Sequence, residues 1–314
     1  MITVSNVITI DHPSKELLSW CTKNLRLRNP DYDKKVRMHF WVGNTPEWLY
    51  LYEVHGDQLV LPYGVLRNIW PMVDTNSIQS EFATPERIDY QCNVPLYDYQ
   101  QKAVEEVYWK QYGILQSAAG SGKTQMAIQL IAKHGKRALF LTHTKDLLTQ
   151  AKQRAEQYMG AALLGTITEG KVNIGEGITF ATVQTMCNLD LAQYKDMWDV
   201  IIVDECHRVA GTPTAVSQFS KVLNSLSARH KYGLSATVHR SDGLIQATFA
   251  LLGDVVYTVP TEAVADKIMK VGINPIPTGI GLSRACLNTD GTLNYAKLIG
   301  YLTESYKRNL RIVE

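Results

Sequence analysis

The sequence predicts an α/β fold, a parallel sheet flanked by helices, preceded by a small α+β unit. Three observations predict it. Short apolar runs such as Ile201-Ile202-Val203 recur through residues 96–260, as expected of strands covered on both faces. Amphipathic segments separate those runs, and repeated βα alternation argues for parallel pairing. The first ninety residues lack this texture and show short alternating runs punctuated by turn residues.

The elements follow in order. Residues 13–27 have helical spacing, with Leu17, Leu18, Cys21 and Leu25 on one side. Alternating runs at 36–42, 48–54 and 58–61 read as strands, separated by Gly43-Asn44, Gly56-Asp57 and Pro62 with Gly64. This is the α+β unit, residues 1–90. Residues 75–93 are polar, lack periodicity and read as a linker. Strand candidates in the second domain, 91–260, lie at 112–116, 138–142, 178–181, 200–203 and 231–234. Helices are expected at 122–134 and 146–159, with further helical segments between the later strands. Beyond residue 260 the pattern loosens, and 294–313 reads as one helix within a last segment, 261–314.

Composition bounds the rest. The 314 residues, 45% hydrophobic and 20% charged, suit two globular domains and part of a third. A net charge of +2 is too mild to announce a nucleic-acid binder, so phosphate contacts would have to come from local patches. The five cysteines are scattered and form no CxxC pair, which argues against a disulfide framework or zinc site and fits a reducing cytoplasm. The N-terminus lacks a signal-peptide pattern, and no apolar stretch approaches the length of a membrane span.

Two segments carry chemistry. Residues 116–124 read Gln-Ser-Ala-Ala-Gly-Ser-Gly-Lys-Thr between a strand and a helix. Small residues there, Gly120, Ser121 and Gly122 among them, let backbone N–H groups close around a phosphate at a helix N-terminus. Lys123 would reach the β- and γ-phosphates, and the Thr124 hydroxyl would ligate magnesium. The full GxxxxGK[ST] pattern has Gly where this chain has Ser117, and a plain small-residue turn is the alternative. The second segment, residues 200–207, is an apolar strand ending in Asp204 and Glu205. Asp204 would hold magnesium through water, and Glu205 would orient and deprotonate an attacking water. An acidic pair at a strand end is commonly just solvated. About eighty residues after a P-loop lysine in a βα array, it reads as the partner of that loop.

With both segments in place, the chain resembles the superfamily 2 helicases. Asp204-Glu205-Cys206-His207 resembles their DExH box, and the other motifs stand in the family's order. Residues 96–101, Leu-Tyr-Asp-Tyr-Gln-Gln, resemble the adenine-reading segment. The resemblance implies that Gln100 bonds the adenine edge and that Tyr97, where many relatives have Arg, stacks on the base. Residues 141–145 and 181–185 resemble motifs Ia and Ib, which implies backbone contacts to nucleic acid by Thr144, Lys145, Thr182 and Gln184. Ser235-Ala236-Thr237 resembles motif III. Coupling of hydrolysis to movement is thereby assigned to His207, Ser235, Thr237 and Arg240. The run 233–243 is especially like the XPB-like and restriction-motor branches, and 29–32 with 61–66 is similar to the front domain of phage UvsW-like helicases.

The resemblance implies a RecA-like P-loop NTPase domain over 91–260, with ATP and Mg²⁺ as cofactors and DNA favoured over RNA as partner. It implies a second RecA-like lobe, whose first helix residues 294–314 resemble, so that this chain alone would hydrolyse ATP weakly or not at all. The expected location is the cytoplasm, that of the host cell if the protein is phage-encoded. Rival readings are the motor of a restriction-type enzyme, a P-loop kinase or GTPase, and a non-catalytic DNA- or protein-binding fragment. No NKxD motif supports a GTPase, and the intact P-loop and acidic box argue against a non-catalytic module.

Lys34, Lys35 and Arg37 form a basic cluster interleaved with Tyr32, Phe40 and Trp41. It fits a stacking and phosphate platform. It also fits a solvated strand face over an aromatic core, and the acids Asp31 and Asp33 beside it favour that plainer reading. His143 and His239 have no ligand-spaced partner and read as ordinary polar residues.

Overall fold

Five short apolar runs pair in parallel to build the centre of an eight-stranded sheet in the computed structural model. The structure describes residues 1–83, 86–237, 244–264, 275–288 and 291–313. The chain divides into two units, Met1–Ile268 and Met269–Glu314.

The first unit opens with β1 (Ile2–Val4), β2 (Val7–Asp11), α1 (Lys15–Asn24), β3 (Arg26–Arg28), α2 (Pro30–Arg37), β4 (Trp48–Tyr50), β5 (Glu53–His55), β6 (Gln58–Pro62), α3 (Leu66–Ile69) and β7 (Ile78–Ser80). The strands form a sheet in the order β5-β6-β2-β1-β7 and a separate ribbon, β3-β4. Ser14 starts α1 by accepting the Leu17 N–H at 3.1 Å, and Leu17 and Cys21 turn inward as the spacing predicts.

Three expectations fail here, the first being the single strand at 48–54, which is divided into β4, paired with β3, and β5, paired with β6. The run at 36–42 is not a strand: Arg37 ends α2 and a loop follows. Asn29 accepts the Asp31 N–H at 3.0 Å and Pro30 occupies the first turn, and these start signals outweigh a weak alternation. The supposed linker 75–93 contains β7, which pairs in parallel with β1. Edge pairing of this kind needs little apolar periodicity, so the strand left no mark.

The lobe continues with α4 (Asp98–Tyr108), β8 (Tyr112–Gln116), α5 (Lys123–His134), β9 (Ala138–Thr142), α6 (Lys145–Met159), β10 (Leu164–Thr168), β11 (Lys171–Asn173), β12 (Ile178–Thr182), α7 (Val183–Cys187), β13 (Val200–Val203), α8 (Pro213–Ser225), β14 (His230–Ser235), α9 (Ile245–Leu252), β15 (Val255–Thr258) and α10 (Thr261–Val264). The sheet order is β11-β10-β12-β9-β13-β14-β8-β15, antiparallel only at β11. All five expected strands are present, with β10, β11 and β15 added towards the edges. Successive residues of β13 serve opposite faces, Ile202 packing with Phe140 and Phe180, Ile201 and Val203 with Trp198 and Phe219. This double coverage explains the unbroken apolar run.

The front sheet and the lobe share one core, in which Ile8, Leu17 and Tyr63 join Tyr112, Val216 and Ala250. Gly64 is pressed so closely onto α9 that a Cβ there would lie 2.6 Å from the Ala250 carbonyl oxygen. Lys231, 1% exposed, donates to the carbonyls of Leu223 at 2.7 Å and Asn6 at 3.2 Å.

In the second unit, the helix expected over 294–313 is broken into α11 (Tyr295–Glu304) and α12 (Tyr306–Val313). Ser305 between them is extended, with φ −73 and ψ 102.

Candidate nucleotide site

Residues 117–124 join β8 to α5. Gly122 and Gly120 have φ of 82 and 78, a region that favours glycine. A Cβ on Gly122 would collide with the side-chain amides of Gln100 and Gln125, whereas the space beside Gly120 is open. Ser117, at the position of the pattern's first glycine, is buried and donates its hydroxyl to Ser121 Oγ at 2.6 Å. Its N–H donates to the Ser235 carbonyl at 2.9 Å. The serine thus ties the base of the loop to itself and to the neighbouring strand.

Lys123, the first residue of α5, is 9% exposed. Its Nζ stands 3.7 Å from Glu205 Oε1 and donates to the Ser117 carbonyl at 3.4 Å. Both contacts are long, so phosphate oxygens can replace them with shorter charge-assisted bonds.

Strand β13 ends beside β9 and β14 and delivers the acids to the same edge of the sheet as the loop. Asp204 is 8% exposed and accepts the Glu205 N–H at 3.0 Å. Burial, reinforced by the neighbouring Glu205 charge, pushes its pKa up to about 6. Glu205 has φ 46, left-handed for a non-glycine residue, and such strain gathers at functional sites. Its Oε2 lies 3.3 Å from His207 Nδ1. That nitrogen is also 3.0 Å from Ser235 Oγ. Ser235 donates its own hydroxyl to the Thr237 carbonyl at 2.6 Å, so its oxygen must accept from His207, which assigns the histidine proton to Nδ1. A continuous path therefore runs from Glu205 through His207 to Ser235 and Thr237. Arg240 and His239 lie outside the described residues.

Gln100 is 2% exposed. Its amide donates to the Ser121 carbonyl at 2.8 Å and accepts the Tyr97 N–H at 2.9 Å. One amide hydrogen and one lone pair remain by valence. Tyr97 is 52% exposed, stacked on Tyr99 at 5.9 Å with the rings 12° apart. Tyr99 donates its hydroxyl to the Ser121 carbonyl at 3.0 Å. The aromatic pair and Gln100 are thus built onto the loop.

Thr144, Lys145, Thr182 and Gln184 follow the ends of β9 and β12, which pair in register with Thr142 opposite Thr182. Thr144 caps α6, Lys145 pairs with Glu169 at 2.6 Å, and the Thr182 hydroxyl lies 2.9 Å from that of Thr185. Gln184 Nε2 lies 3.3 Å from His143 Nδ1. Thr182 is 7% exposed, while Thr144 and Lys145 are exposed. Glu169 escaped sequence reasoning because it stands 24 residues from Lys145 in a turn with no motif. The Ser117 hydroxyl was visible only as a departure from a pattern.

The residues fit a magnesium nucleotide. The open space beside the left-handed Gly120 leaves room for a phosphate, and the buried Asp204 carboxyl, whose charge is disfavoured by burial, would be stabilised as a carboxylate by a cation.

A phosphate loop, an acidic strand end two strands away and a Ser-Ala-Thr segment on the strand between define a RecA-like P-loop NTPase lobe. The family described as "Type III restriction enzyme, res subunit" matches residues 93–240. A DNA 3'-5' translocase, XPB2, of Sulfurisphaera tokodaii is 28% identical over 174 residues, 55% of this chain and 38% of the translocase. A DNA 3'-5' helicase, XPB, of Mycobacterium tuberculosis is 26% identical over 217 residues, 65% of this chain and 36% of the helicase. The matched part therefore spans under two-fifths of the length of these curated relatives. The crystal structure of the UvsW helicase from bacteriophage T4 superposes with a TM-score of 0.59 at 17% identity, covering 82% of this chain and 99% of that one; at this identity it shows a shared fold. Residues 93–240 are thus similar in sequence to the ATPase lobe of superfamily 2 helicases such as XPB.

Proposed function

We propose that the chain is the ATP-hydrolysing part of a DNA motor, a helicase or translocase. The observation that carries this reading is the convergence of Lys123 and Glu205 at 3.7 Å, with Glu205 linked through His207 to Ser235.

In this reading Lys123 and the N–H groups of Gly120, Ser121 and Gly122 hold the phosphates. Thr124 directly and Asp204 through water hold magnesium, which when bound neutralises charge developing on the phosphates. Glu205 orients the attacking water and accepts its proton. Gln100 reads the adenine edge with its remaining hydrogen and lone pair, and Tyr97 covers the base. His207, Ser235, Thr237 and Arg240 report the state of Glu205 to the strand-end residues Thr144, Lys145, Thr182 and Gln184, which grip the sugar–phosphate backbone. DNA is preferred to RNA because XPB2 and XPB, with which the chain shares 28% and 26% identity, are named as DNA enzymes, whereas one mimivirus relative at 28% is named an RNA helicase. We divide the chain into an accessory unit at 1–90, the ATPase lobe at 91–260 and a lead at 261–314 into a second RecA-like lobe. That second lobe would supply the charge that completes catalysis, so this chain alone would turn over slowly. The cytoplasm suits its ATP and DNA, and no helix among the described residues is long and apolar enough to cross a membrane.

The test is ATP hydrolysis with and without single-stranded, duplex and branched DNA, with Lys123→Ala as control. A Lys123-dependent rate raised by DNA supports a motor lobe. A rate indifferent to DNA, or to Lys123, overturns the reading.

A further inference from the structure

The basic cluster in the front unit is not the solvated face of a strand. Residues 38–47 form a loop after α2, and their aromatics stand outside: Phe40 is 61% and Trp41 87% exposed. Exposing two large rings side by side costs solvation unless something covers them.

The loop is pinned in this shape. Lys35 Nζ donates to Thr45 Oγ1 at 2.6 Å and to the Val42 carbonyl at 3.4 Å. Asn29 anchors the far end through the Pro46 carbonyl at 2.8 Å. His39, with φ 54, turns the chain, and the Phe40 N–H returns to the Lys35 carbonyl at 2.8 Å. The Trp41 ring rests over Gly43, where a Cβ would meet it at 3.0 Å, and its remaining surface faces solvent. Gly43 has φ 53, so the glycine serves both turn and ring.

Charge says what should cover the rings. Residues 26–50 hold five Arg and Lys against three acids. Two of those acids, Asp33 and Glu47, are both taken by Arg28, whose guanidinium holds Asp33 below the usual carboxylate range. Lys34 and Arg37 are exposed a few residues before the rings in the chain, and Asp31 is the one acid of the stretch outside that ion-pair group. Arg28 thus holds two of the three acids, and with five cations against three acids the stretch keeps a net charge of +2. Exposed rings flanked by cations match a nucleic-acid strand whose bases are unpaired, because only unpaired bases offer faces for stacking while their phosphates meet the cations.

We propose that Phe40 and Trp41, with Lys34 and Arg37, form a stacking platform for unpaired nucleotides of the DNA substrate, separate from the strand-end contacts of the lobe. The proposal rests on the reading of the chain as a DNA motor. The hydrogen bonds of Lys35 and Asn29 to the loop limit the conformational freedom it would lose on contact.

The experiment measures binding of the whole chain to labelled single-stranded, blunt duplex and forked DNA by fluorescence anisotropy across a salt series. Phe40→Ala with Trp41→Ala is expected to weaken single-strand and fork binding roughly tenfold or more and to leave blunt duplex unchanged. Trp41→Phe should restore part of the loss. Lys34→Ala with Arg37→Ala should lower the salt slope by about one to two. All four side chains are exposed, so melting temperatures should match the wild type. Wild-type protein that binds none of the DNAs overturns the motor reading itself. Wild-type binding that the aromatic variants share, or a loss equal on duplex and single strand, overturns the platform alone.

Discussion

At the scale of single residues, the site turns on two side chains that the fold holds in strain or burial. Glu205 sits at a left-handed φ of 46, between Lys123 and His207. Replacing it with Gln keeps the shape and removes the base. Hydrolysis should fall about 10²- to 10⁴-fold while nucleotide affinity, read by calorimetry, stays within a few-fold; equal losses of affinity and rate would point to a binding role instead. Ser235→Ala removes the acceptor that fixes the His207 proton. In a steady-state assay, stimulation by DNA should shrink more than the basal rate. A parallel drop in both would show that Ser235 only supports the fold.

At the scale of elements, the joint between the front sheet and the lobe depends on close backbone approach. Gly64 packs against α9 with no room for a methyl group. Gly64→Ala should destabilise the first unit by about 1–3 kcal/mol, the usual cost of overpacking, seen as an earlier urea midpoint. An unchanged midpoint would mean that the joint gives way freely. The α2 region shows why element boundaries were hard to read. Residues 36–42 alternate weakly, but the Asn29-Pro30 start fixes helix phase before the alternation can matter. Among the βα elements such conflicts are absent, because strand length, apolar content and flanking helices agree.

At the scale of the whole molecule, the shared core buries titratable groups that link stability to pH. Burial lowers the Lys231 pKa to about 7. The group faces the carbonyls of Asn6 and Leu223 and the ring of Tyr63, whose own pKa burial raises. Between pH 7 and the ordinary lysine range the unfolded chain binds the proton and the folded chain does not, so stability should rise with pH, by about 1.4 kcal/mol per unit for one group. His134 and His230, lowered by burial to about 3 and about 4, act with the same sign between pH 4 and 6.5. Denaturation measured from pH 7 to 9.5 should show the upper slope in the wild type and not in Lys231→Met. A slope that survives the substitution would assign it to other groups.

The parts that depend on local order were legible in the amino-acid sequence. A loop must be small and Gly-rich to cradle a phosphate, and a buried strand must be apolar along its length. Lys123, Thr124, Asp204 and Glu205 could therefore be named, and the βα series ordered, before any contact was known. The other features required distant segments to meet. The pairing of Lys145 with Glu169, the burial of Lys231 under Asn6, the common core of front sheet and lobe, and the exposure of Phe40 and Trp41 join or isolate residues far apart in the chain. Such outcomes depend on which surfaces cover each other, and that competition among surfaces is settled only when the whole chain packs.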